Sequence, residues 1–324
     1  MENTKKTEKN PNKIPIIAIV GPTASGKTEL SIEIAKKFSG EIISVDSMQI
    51  YKEFKICTAK PNESQLKAIK HYLIDEISVK DSFSVADYAE KARCCAEEIW
   101  QKGKNPIVVG GTGLYLDAFL GDFALETKQA NPIIREKLLK RAMNDKGELF
   151  LELTQIDPIS ANKIHPNDLK RTVRALEFYY SFGYSISEQT KRTQCRPSLY
   201  KTTFIGLNFK NRGILHDRIE KRVDEMFKQG LIKETENILK GSIGKTASAA
   251  IGYKEIIPYL KGEVLLAEAE KSIKKETKAY AKRQITWFKR NKNIHWIYID
   301  EYNSFSQVIS EAFKIVKEGG FKLA

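Results

Sequence analysis

The chain has 324 residues, with 54 Lys plus Arg against 41 Asp plus Glu and hence a formal charge of +13, and 41% of its residues are hydrophobic. That apolar share excludes a disordered chain and is enough for one large or two modest domains. No uninterrupted apolar run reaches the roughly 18 residues that a membrane-spanning helix needs.

The first 13 residues are polar and read as a disordered tail without a signal peptide. Ile14–Val20 is a continuous apolar run ending at Gly21, the pattern of a buried parallel strand. A helix is expected over Glu29–Phe38 and strands over Glu41–Val45 and Tyr72–Ile74. The amphipathic stretch Val85–Gln101 and then Pro106–Val109 make a helix–strand pair. Strands alternating with helices imply an α/β fold, a doubly wound parallel sheet. From about Asn131 the pattern turns helical, over Ile133–Met143, Leu149–Gln155 and Leu169–Phe182. A strand returns at Lys201–Phe209, followed by helices at about Ile214–Gln229 and Ala267–Arg290, a strand at His295–Ile299 and a helix near Phe305–Lys317. The architecture expected is therefore an α/β core over 14–129 and 199–324, interrupted by a small all-helical insertion over 130–198.

Charge is unevenly placed. Residues 1–120 carry 17 basic and 16 acidic side chains, net +1, which leaves 37 and 25, net +12, for residues 121–324. A polyanionic partner of the second part is implied, nucleic acid ahead of an anionic membrane surface. The four Cys (57, 94, 95, 195) and four His (71, 165, 216, 295) follow neither disulfide nor zinc spacing, and a reducing cytoplasm is expected.

Gly21-Pro-Thr-Ala-Ser-Gly26-Lys27-Thr28 matches G-x-x-x-x-G-K-[ST] between a strand and a helix, the context that a phosphate-binding loop requires. Its N–H groups and the helix N-terminus favour an anion, Lys27 adds a point charge, and the Thr28 hydroxyl is suited to Mg²⁺. The strand Ile107–Val109 runs into Gly110-Gly-Thr-Gly113 without the carboxylate that an ATPase places there, and Asp46 ends the neighbouring strand. On residues alone Asp46 could be a magnesium ligand, a general base or a cap of the next turn.

The phosphate loop, Asp46-Ser-Met-Gln-Ile-Tyr51 and Val109-Gly-Gly-Thr-Gly-Leu-Tyr115 together resemble the signature blocks of tRNA dimethylallyltransferases. So do His71–Asp75, Asn167–Glu177, Arg218–Asp224, Ala250–Glu255 and Tyr280–Phe288, in the same order along nearly the whole chain. The resemblance implies transfer of a dimethylallyl group from dimethylallyl diphosphate to N6 of the adenosine 3′-adjacent to the anticodon, in tRNAs reading codons that begin with U. It makes Asp46 the base, with Thr112 and Arg222 as catalytic partners. The diphosphate then falls to Gly21, Thr23, Ala24, Ser25, Gly26, Lys27, Thr28 and Arg218, with Mg²⁺ as cofactor. Ser47, Met48, Gln49, Arg135, Lys170, Arg171, Arg174, Lys282, Arg283, Gln284 and Lys289 are implied as tRNA contacts. Nine basic residues and one acid between Lys271 and Lys292, interleaved with Tyr280, Trp287 and Phe288, suit an RNA backbone. A monomer in the cytoplasm is expected, with no membrane partner. The alternatives are an adenylate isopentenyltransferase acting on free nucleotide, a P-loop ATPase or kinase with an RNA-binding appendage, and a non-catalytic RNA-binding protein.

Overall fold

The computed structural model describes residues 13–121, 131–194 and 198–323. They form two compact units, one of the described residues up to Leu120 together with those from Leu199 onward, the other Gly121–Ser198. Apart from Lys13, the segment read as a tail lies outside the described residues.

The first unit is built on six strands: β1 (Ile14–Val20), β2 (Gly40–Val45), β3 (His71–Tyr72), β4 (Asn105–Gly110), β5 (Tyr200–Asn208) and β6 (Ile294–Tyr298). They pair in parallel in the order β3-β2-β4-β1-β5-β6. Before the insertion come α1 (Lys27–Lys37), α2 (Glu63–Ala68), α3 (Val85–Gln101) and α4 (Gly113–Leu120). The second unit consists of α5 (Pro132–Asn144), α6 (Lys146–Ile156), α7 (Pro158–Ala161), α8 (Leu169–Phe182) and α9 (Ile186–Gln194). The chain then returns to the first unit with α10 (Arg212–Lys228), α11 (Leu231–Leu239), α12 (Tyr253–Leu260), α13 (Leu266–Phe288) and α14 (Phe305–Glu318).

The apolar run of β1 follows from burial on both sheet faces, which a parallel sheet covered by helices imposes. Ile16 and Val20 pack with Ala92 and Ile99 of α3 and Leu116 of α4, whereas Ile17 and Ile19 pack with Leu30 of α1 and Val308 of α14. The helical unit has its own core of Leu138, Leu149, Leu153, Val173 and Leu176.

Two expectations are corrected. β3 stops at Tyr72, because Leu73 and Asp75 take the left-handed conformation at φ 62 and 57. The basic helix runs Leu266–Phe288 and so ends two residues before Arg290. The short helices α2, α7, α9, α11 and α12 were not anticipated.

Candidate active site

Three strands end in register at the carboxyl edge of the sheet, the edge at which open α/β sheets hold ligands. Gly110 of β4 pairs with Val45 of β2 on one side and with Val20 of β1 on the other. The next residues, Asp46, Gly111 and Gly21, therefore stand side by side at the tops of adjacent strands.

Gly21 opens the phosphate loop at φ 146, and a Cβ there would lie 2.3 Å from the Leu207 carbonyl oxygen, so only glycine passes this point. Gly26 caps α1 in the left-handed conformation, and Lys27 and Thr28 enter the first turn. A basin of about 430 Å³ is lined by Ala24, Ser25, Gly26, Lys27, Thr28, Glu29, Gln65, Arg218, Lys221 and Arg222. Lys27 Nζ donates to the Pro22 carbonyl at 2.6 Å, and Arg218 Nε donates to the Ala24 carbonyl at 2.8 Å. Burial, and then the charge of Arg222, push the Lys27 ammonium down to about 7, against an opposing pull from Asp46. Burial also lowers the Arg222 guanidinium, again opposed by Asp46. Four cations, Lys27, Arg218, Lys221 and Arg222, thus line the basin against the single carboxylate of Glu29, an excess of positive charge that suits an anionic ligand. The Ser25 hydroxyl, buried in this loop with no hydrogen-bond partner, adds an unmet polar group.

A second cavity of about 290 Å³ is lined by Thr23, Asp46, Ser47, Met48, Cys57, Thr58, Met226, Ile273, Tyr280 and Arg283 among others, and it shares Arg222 with the phosphate basin. Asp46, Ser47, Thr58, Arg222, Thr277 and Tyr280 contribute polar groups to its lining, and Val223, Met226, Ile251 and Ile273 apolar ones. Asp46 Oδ1 accepts from the N–H groups of Met48 at 2.9 Å and Gln49 at 3.3 Å, which fixes the carboxylate while closing the turn. Arg222 Nη2 donates to the Thr58 carbonyl at 3.4 Å. The loop carrying Thr58 is held in turn by the Glu234 carboxylate, which accepts from the N–H groups of Lys55, Ile56 and Cys57.

The tRNA-contact residues expected from the sequence fall into different settings. Lys170 and Arg171 are exposed on α8, and Lys282 and Lys289 are exposed at the C-terminal end of α13. Arg283 is exposed and also lines the cleft. Arg135 and Arg174 lie within 3.6 and 3.0 Å of the same buried carboxylate, Glu177. Gln49 is engaged at both ends of its amide, accepting from Ser44 Oγ at 2.9 Å and donating to the Thr58 carbonyl at 3.3 Å. Gln284 is buried and likewise engaged at both ends of its amide. The basic stripe of α13 is also less free than its composition implied, since Lys274 pairs with Asp224 and Glu270, and Lys278 with Glu220.

Lys221 and Gln65 in the basin, and Thr58, Thr277 and Tyr280 in the cleft, went unassigned from sequence. Tyr280 had a signal: it lies four residues before Gln284 and seven before Trp287, on one helical face. Burial and then the Asp46 carboxylate push its hydroxyl up to about 12, so it faces the cleft as a neutral donor.

Magnesium takes oxygen ligands, retains water, and is commonly held by one or two protein oxygens plus substrate phosphates. The Thr28 hydroxyl, opening into a phosphate-sized basin beside Lys27, fits that donor chemistry. Among the described residues no group of three or more His, Cys, Asp or Glu side chains gathers to hold a metal by itself. No helix among them is long and apolar enough to cross a membrane.

The sequence profile of the IPP transferase family matches residues 49–291. A tRNA dimethylallyltransferase of Thermoanaerobacter sp. (strain X514) is 46% identical over 306 residues, 93% of this chain and 97% of the relative. The crystal structure of a full-length tRNA isopentenylpyrophosphate transferase from Bacillus halodurans superposes with a TM-score of 0.71 at 38% identity, covering 95% of this chain and 97% of that one. A eukaryotic dimethylallyltransferase captured acting on tRNA superposes at 0.78 and 28% identity, over 94% of this chain and 80% of the other. With that agreement over nearly its full length, this chain belongs to the IPP transferase family, the tRNA dimethylallyltransferases.

Proposed function

We propose that the cleft and the basin are the two halves of one prenyl-transfer site. The enzyme transfers the dimethylallyl group of dimethylallyl diphosphate to N6 of the adenosine 3′-adjacent to the anticodon, in tRNAs reading codons that begin with U. The observation that carries this reading is Arg222, which borders both the basic phosphate basin and the cleft holding Asp46. A group at that junction can attend a bond that breaks between diphosphate and an apolar carbon chain.

The diphosphate lies in the basin against the loop N–H groups, Lys27, Arg222 and Arg218, and the dimethylallyl carbons lie along Met226 and Ile273. Thr28 would hold Mg²⁺, which supplies charge neutralisation at the diphosphate oxygens when bound. Adenine N6 is a weak nucleophile, its lone pair delocalised into the ring. The Asp46 carboxylate takes the N6 proton as nitrogen bonds to C1 of the dimethylallyl group and the C1–O bond breaks. The electron pair of that bond leaves with diphosphate, toward cations already in place. Thr112 orients the Asp46 turn and faces the reacting centre together with Tyr280. The adenine reaches this site only by leaving its stack, as for other enzymes that modify a base.

RNA contacts are assigned on the first unit to Lys282, Arg283 and Lys289, and on the helical unit to Lys170 and Arg171. The enzyme acts as a cytoplasmic monomer. The test is incubation with Mg²⁺ and labelled dimethylallyl diphosphate, with either an anticodon stem-loop or AMP. Label in the stem-loop is expected. Label only in AMP would make it an adenylate enzyme, and ATP turnover without label would sink both readings.

A further inference from the structure

Gln284 is 5% exposed, yet its side chain spans two loops distant in sequence. The Thr23 N–H of the phosphate loop donates to Gln284 Oε1 at 2.9 Å, and Gln284 Nε2 donates to the Gly111 carbonyl at 3.1 Å. A Cβ on Gly111 would stand 1.9 Å from that same Nε2, so the approach of amide to backbone depends on glycine at this position. Three residues on, Trp287 covers Gly113, where an added Cβ would lie 2.2 Å from its ring, and Trp287 Nε1 donates to Asp117 at 2.9 Å. Four residues back, Tyr280 lines the cleft, its hydroxyl acidity influenced by Thr112 and Gln284. One face of α13 is thus seated on the loop after β4, while Lys282, Arg283 and Lys289 of the same helix are exposed.

We propose that Gln284 is a positioning residue: its amide sets the distance between the diphosphate loop and the Thr112 loop, and ties both to the helix that grips RNA. The inference rests on the reading above of the basin as the diphosphate site and of the C-terminal part of α13 as an RNA contact. An amide suits this strut because it accepts at one end and donates at the other. Leucine fills similar space and does neither. A carboxylate keeps the acceptor for Thr23 but opposes the Gly111 carbonyl.

The test uses Gln284→Leu and Gln284→Glu, with circular dichroism to verify folding. For Gln284→Leu, stem-loop affinity should stay within about twofold of wild type, while affinity for inorganic pyrophosphate and the single-turnover transfer rate each fall about tenfold, as loss of two buried hydrogen bonds implies. For Gln284→Glu, the defect relative to wild type at the same pH should be large at pH 8 and relieved toward pH 6. There the buried carboxyl, its pKa raised by desolvation, is protonated and donates to Gly111 as the amide did. Wild-type pyrophosphate affinity and rate in Gln284→Leu would overturn the proposal, as would loss of stem-loop affinity alone, which would make Gln284 an RNA contact. Should Gln284→Leu not fold, the pH dependence of Gln284→Glu decides by itself, and an equal defect at both pH values overturns the strut. If wild-type enzyme fails to label the stem-loop, the functional reading falls instead, and the pyrophosphate measurement still judges Gln284.

Discussion

Thr112 clasps the end of β2 twice: its N–H donates to the Val45 carbonyl at 3.1 Å, and its Oγ accepts from the Ser47 N–H at 3.3 Å. The residue between those two contacts is Asp46. Thr112→Ala should keep the first contact, release the second and let the carboxylate drift. Because misplacement by about 1 Å can cost about 100-fold, kcat should fall by one to two powers of ten, with Thr112→Ser near wild type. Equal losses in the two variants would show that the hydroxyl does not hold the Asp46 turn.

Asp46→Asn preserves an oxygen for the Met48 and Gln49 N–H groups and removes the base. The single-turnover rate should drop by about 10² to 10⁴, the range for a positioned proton acceptor. Binding of pyrophosphate and stem-loop should change less than about twofold, on the reading that the carboxylate acts on the proton alone. A Mg²⁺-dependent loss of pyrophosphate affinity would instead make Asp46 a metal ligand.

Lys27 makes the stability of the free protein depend on pH. Its folded value of about 7 lies below the ordinary 10.5, so the buried ammonium destabilises the fold fully below pH 7. The penalty shrinks as pH rises from 7 toward 10.5, where the unfolded lysine also loses its proton. Lys27→Met should therefore be more stable than wild type at pH 6, with the gap narrowing by pH 9.5, and should not bind pyrophosphate. Urea titrations at the two pH values measure it, and a gap that widens with pH contradicts the assignment.

Glu177 holds both Arg135 and Arg174 and is itself buried. Glu177→Gln removes the buried charge and leaves two exposed cations free for phosphate. Stem-loop binding should tighten and its salt dependence steepen by about 1.4 in log–log slope, about 0.7 per new contact on single-stranded RNA. An unchanged slope would mean that these arginines serve only the helical core.

The double variant Lys282→Ala, Arg283→Ala should act in the opposite sense. Stem-loop affinity falls and the salt slope flattens by about 1.4, again from two lost phosphate contacts. Filter binding between low and moderate salt reads both quantities, and wild-type affinity would confine this end of α13 to a structural role.

The parts of the site legible from sequence were those written locally. Gly21–Thr28 lies between an apolar run and a helix, and Asp46 and Gly110 end apolar segments, so their common position at the sheet edge followed from topology. Gln284 is 261 residues from Thr23 and 173 from Gly111, and nothing local says which face of α13 meets those loops. Charge misled where neighbours were unseen, because Lys274 and Lys278 look like Lys282 until Glu220 and Asp224 are placed against them. The helices α11 and α12 were missed because each is short and follows a left-handed or otherwise positive-φ glycine, Gly230 and Gly252, that reads as a turn. β3 was overextended because Tyr72-Leu-Ile74 is apolar, while the turn that follows is held by distant backbone, the Asp75 N–H donating to the Gln49 carbonyl and the Glu76 N–H to the Ile50 carbonyl.

The pairing of Lys274 and Lys278 with acids of α10 and of α13 itself gives the long helix an electrical polarity beyond its backbone dipole. Its early turns are close to neutralised, and net positive charge accumulates through Lys282, Arg283, Lys289 and Arg290. An approaching polyanion therefore meets a potential that rises along α13 toward its C-terminal end. Such a gradient orients a polyanion during diffusion, before any base is inspected, and this guidance fades as ionic strength rises.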